Sequence, residues 1–151
     1  MHPEIDKKYL GALEEIVFAM ETKQVPLVII NKDDQLNFLE QISQLLGGSV
    51  IDSAMVNVLK YILSSIKEFD YLFLLIKEHL DRIVIDFIRF YLDSTNIFQS
   101  GDKPVSQKFK DYTIHDEHRL ILLIDWQMFQ SLPKTLQDYF SGMCCVIFIS
   151  T

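Results

Sequence analysis

Two uninterrupted apolar runs constrain this chain most: Arg119-Leu-Ile-Leu-Leu-Ile-Asp125-Trp126 and, one helix length later, Cys144-Cys-Val-Ile-Phe-Ile-Ser150-Thr151. Successive side chains of a strand point to opposite faces, so a strand that is apolar at every position needs cover on both faces. Helices on either side of a parallel sheet supply that cover. Val25 to Ile30 is a third β-prone apolar run, with Pro26 acceptable near its start. Asp70 to Ile76 could be a central strand or part of a buried helix, because periodicity does not separate the two, and it is read here as a strand.

Helical spacing fills the intervals. After Pro3, the residues Ile5, Tyr9, Leu13, Ile16, Val17 and Met20 recur along one face, with Asp6, Lys7, Glu14, Glu21 and Lys23 opposite. Asn31 to Asp34 turns the chain, and Asp33 or Asp34 is expected to cap a helix whose buried stripe is Leu36, Leu39, Ile42, Leu45 and Leu46. Gly47-Gly48 closes that helix with a left-handed cap. Asp52 or Ser53 is expected to cap a further helix that carries Val56, Leu59, Tyr61, Leu63 and Ile66 and ends near Glu68. From Leu80 to Asp93 the charges Arg82, Asp86, Arg89 and Asp93 line one helical face. Ser94 to Glu117 is the longest irregular stretch, and Pro133 divides the region from Gln127 to Phe140 into two short helices. The expectation is one three-layer α/β domain over residues 1–151, with a mainly parallel four-stranded sheet and helices on both faces.

Composition bears on partners. A chain of 151 residues buries roughly two thirds of its unfolded surface in one core. Its 49% hydrophobic share, with 11 Phe and 6 Tyr, exceeds what such a core accommodates comfortably, so part of it is expected to face a protein partner or a second copy. The helix holding Phe87, Phe90 and Tyr91 and the region holding Trp126, Phe129, Tyr139 and Phe140 are the expected interface. A net charge of −7 disfavours a grip on nucleic-acid phosphates, and the weakly basic stretch Lys103 to Lys110 reads as a solvated loop. Lys67, Glu68, Asp70, Lys77, Glu78 and Asp81 interrupt the richest apolar region, so no membrane span is expected. No apolar core follows a basic start at the N-terminus, so no secretory signal is read there and an intracellular site, cytoplasmic by default, is expected.

Chemistry-bearing motifs are sparse. Cys144 and Cys145 are neighbours on a strand, so they point apart and read as two small buried hydrophobes rather than a bridge. His115-Asp116-Glu117-His118 is the densest group of metal-ligating types, with His115 and His118 as the candidate ligands and a solvated turn as the plainer reading. Ser49, Ser53, Ser94 and Ser131 lack a glycine-flanked nucleophile elbow. No catalytic residue and no cofactor is therefore assigned.

The three strand-end segments together resemble the core of P-loop nucleoside triphosphatases of the AAA+ type. In that family one strand feeds a phosphate loop, another ends in an acidic residue that handles magnesium, and a neighbour ends in a small polar sensor. Val25 to Ile30 with Asn31-Lys32-Asp33-Asp34, Leu120 to Asp125, and Val146 to Thr151 match those positions in turn. The resemblance implies Asp33, Asp34 and Asp125 as ligand-site positions. The chain departs from the family in lacking the loop glycines and the Lys-Ser or Lys-Thr pair, and Asp33 and Asp34 would repel phosphate. It then implies a degenerate, non-hydrolysing member, of the kind that serves as a subunit of an assembly. Ile124-Asp125-Trp126-Gln-Met-Phe129 also resembles the strand-to-helix junction of barstar-type ribonuclease inhibitors, which implies an acidic inhibitor. The preferred expectation is a non-catalytic protein-interaction subunit. Its alternatives are a nucleotide- or metal-dependent enzyme with a site near Asp125, and the inhibitor.

Overall fold

The computed structural model describes residues 6–53, 71–77, 82–95 and 119–149. In chain order the elements are α1 (Lys7–Glu21), β1 (Val25–Ile30), α2 (Lys32–Leu46), β2 (Ser49–Asp52), β3 (Tyr71–Ile76), α3 (Arg82–Thr95), β4 (Arg119–Ile124), α4 (Trp126–Ser131), α5 (Lys134–Met143) and β5 (Cys144–Ile149). The sheet runs β2-β3-β4-β1-β5, with every neighbouring pair parallel. The expected α/β architecture with a parallel sheet is present, with five strands rather than four. The additional strand is β2, where the sequence suggests only a helix cap at Asp52 or Ser53. The expected helix beyond it, to Glu68, lies outside the described residues.

Both faces of the sheet are covered, as the apolar runs require. Val25, Leu27, Ile29, Leu72, Leu74, Ile76, Leu120, Leu122 and Ile124 pack on one side with Phe87 and Ile88 of α3, Phe129 of α4 and Phe140 of α5. Their alternates Val28, Ile30, Phe73, Leu75, Ile121, Leu123, Ile147 and Ile149 pack on the other with Tyr9 and Ile16 of α1 and Phe38 and Ile42 of α2. The allocation follows from the direction of travel. From β1 the chain crosses β4 and β3 to reach β2, carrying α2 over one face. It then works back through β3 and β4 and across β1 to β5, carrying α4 and α5 over the opposite face. Crossovers of one hand, run in opposite directions, fall on opposite faces.

Local details correct the helix readings. The helix α2 begins at Lys32 with Asn31 as N-cap, so Asp33 and Asp34 lie in its first turn rather than capping it. Its buried residues are Gln35, Phe38, Leu39 and Ile42, while Leu36 and Leu45 are exposed. Val17 of α1 is exposed as well. Gly47 does supply the left-handed cap, at φ 73°, and donates its N–H to the Ser43 carbonyl at 2.7 Å. Gly48 has a different reason to be glycine: a Cβ there would lie 2.6 Å from the Phe73 ring and 2.8 Å from the Tyr71 carbonyl oxygen. The end of α1 is closed by Lys23 at φ 61°, with Gln24 N–H donating to the Ala19 carbonyl at 2.8 Å. Pro133 breaks the segment after β4 into α4 and α5 as expected. Among the described residues, no helix is long and apolar enough to cross a membrane.

Candidate functional site

In a doubly wound sheet the natural ligand crevice lies at the carboxyl ends of two neighbouring strands whose following helices leave toward opposite faces. Here those strands are β1, followed by α2, and β4, followed by α4. Asp125 stands at the end of β4, and its carboxylate reaches the starts of both following helices. Lys32 N–H, at the first residue of α2, donates to Oδ1 at 3.0 Å, and Gln127 N–H in α4 donates to Oδ2 at 3.1 Å. Each oxygen thus satisfies a helix-start amide that lacks an intrahelical partner. The carboxylate also lies at the positive end of the α2 dipole, where negative charge is favoured.

This clasp does what a bound anion would do. An external phosphate approaching β1 would find the Lys32 amide already engaged by Asp125, with the carboxylates of Asp33 and Asp34 next in the chain. Asp33 is exposed and Asp34 half-buried. An aspartate between a strand and a helix is a natural N-cap, and Asp125 caps α4 in this way. The bond to Lys32 spans 93 residues of chain and follows from the adjacency of β1 and β4.

The ends of β2 and β3 are also joined by internal polar contacts. Ser53, buried, donates its N–H to the Leu75 carbonyl at 2.9 Å and accepts the Lys77 N–H on Oγ at 2.8 Å. Lys77 Nζ pairs with Asp52 Oδ2 at 3.0 Å. The pair is substantially exposed, so its net contribution to stability is small. Among the described residues no group of three or more His, Cys, Asp or Glu is placed to hold a metal ion. His115 and His118 lie outside the described residues.

The aromatic candidates separate into two populations. Phe87, Tyr91, Phe129 and Phe140 are in the core rather than on the surface, and the Tyr91 hydroxyl accepts the Leu120 N–H at 3.2 Å. Tyr139 is half-buried, with the Arg89 guanidinium 5.1 Å from its ring centroid. The Phe90 side chain lies outside those described. Trp126 is exposed: its ring stacks on Phe129 at 6.1 Å and meets Phe148 edge-on at 5.5 Å. Phe148, which sequence reading left within a strand, is 61% exposed, and Phe18 of α1 is 63% exposed. Both belong to elements at the β5 edge of the sheet. No sequence signal separates Phe148 from its buried neighbours, because its exposure follows from β5 being the last strand.

The two cysteines point to opposite faces, as read from sequence. Cys144 packs with the α5 side, and burial, reinforced by Cys145, pushes its thiol up to about 12. Cys145 packs on the α1 side, where burial and then the Glu15 carboxylate raise its thiol above the ordinary value. Neither environment generates a thiolate nucleophile at neutral pH.

The fold is a doubly wound, all-parallel α/β domain in which Asp125, at the end of β4, accepts the first amide of α2 beside β1. No known protein family, curated protein or solved structure matches the chain.

Proposed function

We propose that this chain is a non-catalytic protein-interaction subunit of a multiprotein assembly, built on a degenerate nucleotide-binding-like domain of AAA+ character and working in the cytoplasm. The observation that carries the reading is the Asp125 clasp on the Lys32 amide, at the position where a nucleotide phosphate would otherwise be cradled. The parallel order β2-β3-β4-β1-β5 sets Asp125, at the end of β4, beside the end of β1, where the resemblance would have a phosphate bind. A glycine-free Asn31-Lys32-Asp33-Asp34 turn argues that phosphate binding itself has been lost. Exposed Trp126, Phe148 and Phe18 supply the apolar surface that a partner would cover.

Calorimetric titration with Mg·ATP and Mg·GTP tests the first half of this reading. No saturable heat is expected for the wild-type chain. A saturable isotherm abolished by Asp125→Asn would replace the subunit reading with the enzyme alternative. Purification from the native source tests the second half, with recovery of a stoichiometric protein partner expected and a lone monomer contradicting it.

A further inference from the structure

The edge of the sheet at β5 differs from most protected strand edges. The strand reads Cys-Cys-Val-Ile-Phe-Ile, six residues without a charge, a proline or a glycine, paired through its whole length to β1 on one side. Among the described residues no strand lies on its other side. Soluble proteins usually blunt such an edge with lysine, proline or a bulge, because its outward N–H and C=O groups template another strand.

Both faces beside this edge carry exposed aromatic surface. Phe148 and Trp126 form a T-shaped pair on the face covered by α4 and α5. On the opposite face α1 packs against β5, and Glu15 lies close enough for its charge to act on the Cys145 thiol. Phe18 is three residues beyond Glu15 and so lies on the same side of that helix. Glu15 is exposed, and no base stands within α1 from Glu14 to Glu21.

We propose that β5 is a docking edge for an extended lysine- or arginine-bearing segment of a partner protein, added as a sixth strand between Phe148 with Trp126 on one face and Phe18 with Glu15 on the other. This rests on the protein-interaction reading and names the chemistry of the partner. Backbone hydrogen bonds to β5 supply affinity, and the alternation of side chains supplies selectivity. Residues of one parity lay apolar groups on the Trp126 and Phe148 rings. Those of the other parity bring cations to the Glu15 carboxylate. A second copy of this chain fits less well: antiparallel β5-to-β5 pairing would set two identical acidic α1 helices side by side, and each chain carries a net charge of −7.

Trp126 is the only tryptophan and therefore reports directly on the site. The probes are two nine-residue capped peptides of alternating pattern, one with lysine and valine around a central phenylalanine, the other with glutamate in place of each lysine. Binding is read by Trp126 fluorescence and by amide shifts in residues 144–149 on the intact chain. The lysine peptide is expected to bind at least about tenfold tighter than the glutamate peptide, with an affinity that falls as salt rises. Phe148→Lys should weaken it about tenfold, as loss of an aromatic anchor does, while leaving the circular dichroism spectrum unchanged. Equal affinity for the two peptides, or shifts confined to other elements, overturns the proposal. So does a concentration-dependent dimer in light scattering that Phe148→Lys abolishes. A Mg·ATP-induced shift of the Lys32 amide would overturn the subunit reading itself, whereas silence there with peptide failure at β5 removes only the docking edge.

Discussion

The crevice between β1 and β4 and the outer edge of β5 lie one strand apart and are finished in opposite ways. Topology predisposes the crevice to bind a ligand, yet there Asp125 accepts two hydrogen bonds from the chain's own helix starts. The β5 edge is only a boundary of the sheet, yet it is uncharged and flanked by Phe148 and Phe18. The polar groups have been spent internally and the apolar ones left outside. That contrast is what the proposed protein-interaction role expects of these two regions.

The largest effect that sharpens this contrast is on stability. Phe87→Ala empties a fully buried site between α3 and the sheet and should cost about 3–5 kcal/mol in urea unfolding. Phe148→Ala removes a mostly exposed ring and should cost less than about 1 kcal/mol. Equal costs would mean that the edge aromatics are core, and the contrast between crevice and edge would collapse. Asp125→Ala comes next. Loss of a helix cap and of the cross-strand bond should lower stability by about 1–3 kcal/mol, with Asp125→Asn intermediate because an amide oxygen still accepts one N–H.

A smaller effect concerns the strand beneath the edge. The folded state raises the Cys144 thiol to about 12, so both states keep its proton below the unfolded value of about 8.5 and its contribution is then fully present. As pH climbs from there toward 12 the unfolded chain ionises first, and stability should fall by up to about 1.4 kcal/mol per pH unit from this thiol. Unfolding at pH 8, 9 and 10 should therefore show a steeper decline for the wild type than for Cys144→Ala. Parallel declines would mean that Cys144 is solvated. The smallest effect is at the end of α1, which flanks the edge. Lys23 adopts φ 61°, so Lys23→Gly should raise stability by about 0.5–1 kcal/mol, measurable as a shift in urea midpoint.

Much of the layer architecture is legible in the chain because β1, β3, β4 and β5 are apolar along nearly their whole length and sit between helical patterns. The strand β2 is not, since Ser49-Val-Ile-Asp52 is short, lies at the sheet edge and carries polar residues at both ends. Its terminal Ser53 looks like a helix cap because serine serves both roles, here accepting the Lys77 amide instead. The phase of α2 is misread for a related reason: a stripe of leucines at Leu36 and Leu45 outweighs the true stripe through Gln35, Phe38, Leu39 and Ile42, whose spacing is the better fit to a helical repeat. At the site, the cap made by Asp125 follows from local sequence. Its hold on Lys32 depends on strand order, which hydrophobic periodicity does not encode. The same dependence explains why buried and exposed aromatics cannot be separated in advance. Phe129 and Trp126 belong to one short helix and stack on each other, yet the first is buried and the second exposed.

Amide hydrogen exchange at Lys32, compared between the wild type and Asp125→Ala and repeated with Mg·ATP, bears most directly on whether the crevice is closed by the chain itself. The clasp predicts that the Lys32 amide is protected in the wild type, loses most of that protection in the variant, and does not respond to nucleotide in the wild type. A Lys32 amide that exchanges freely without ligand and becomes protected when Mg·ATP is added would show an open phosphate site and contradict the account.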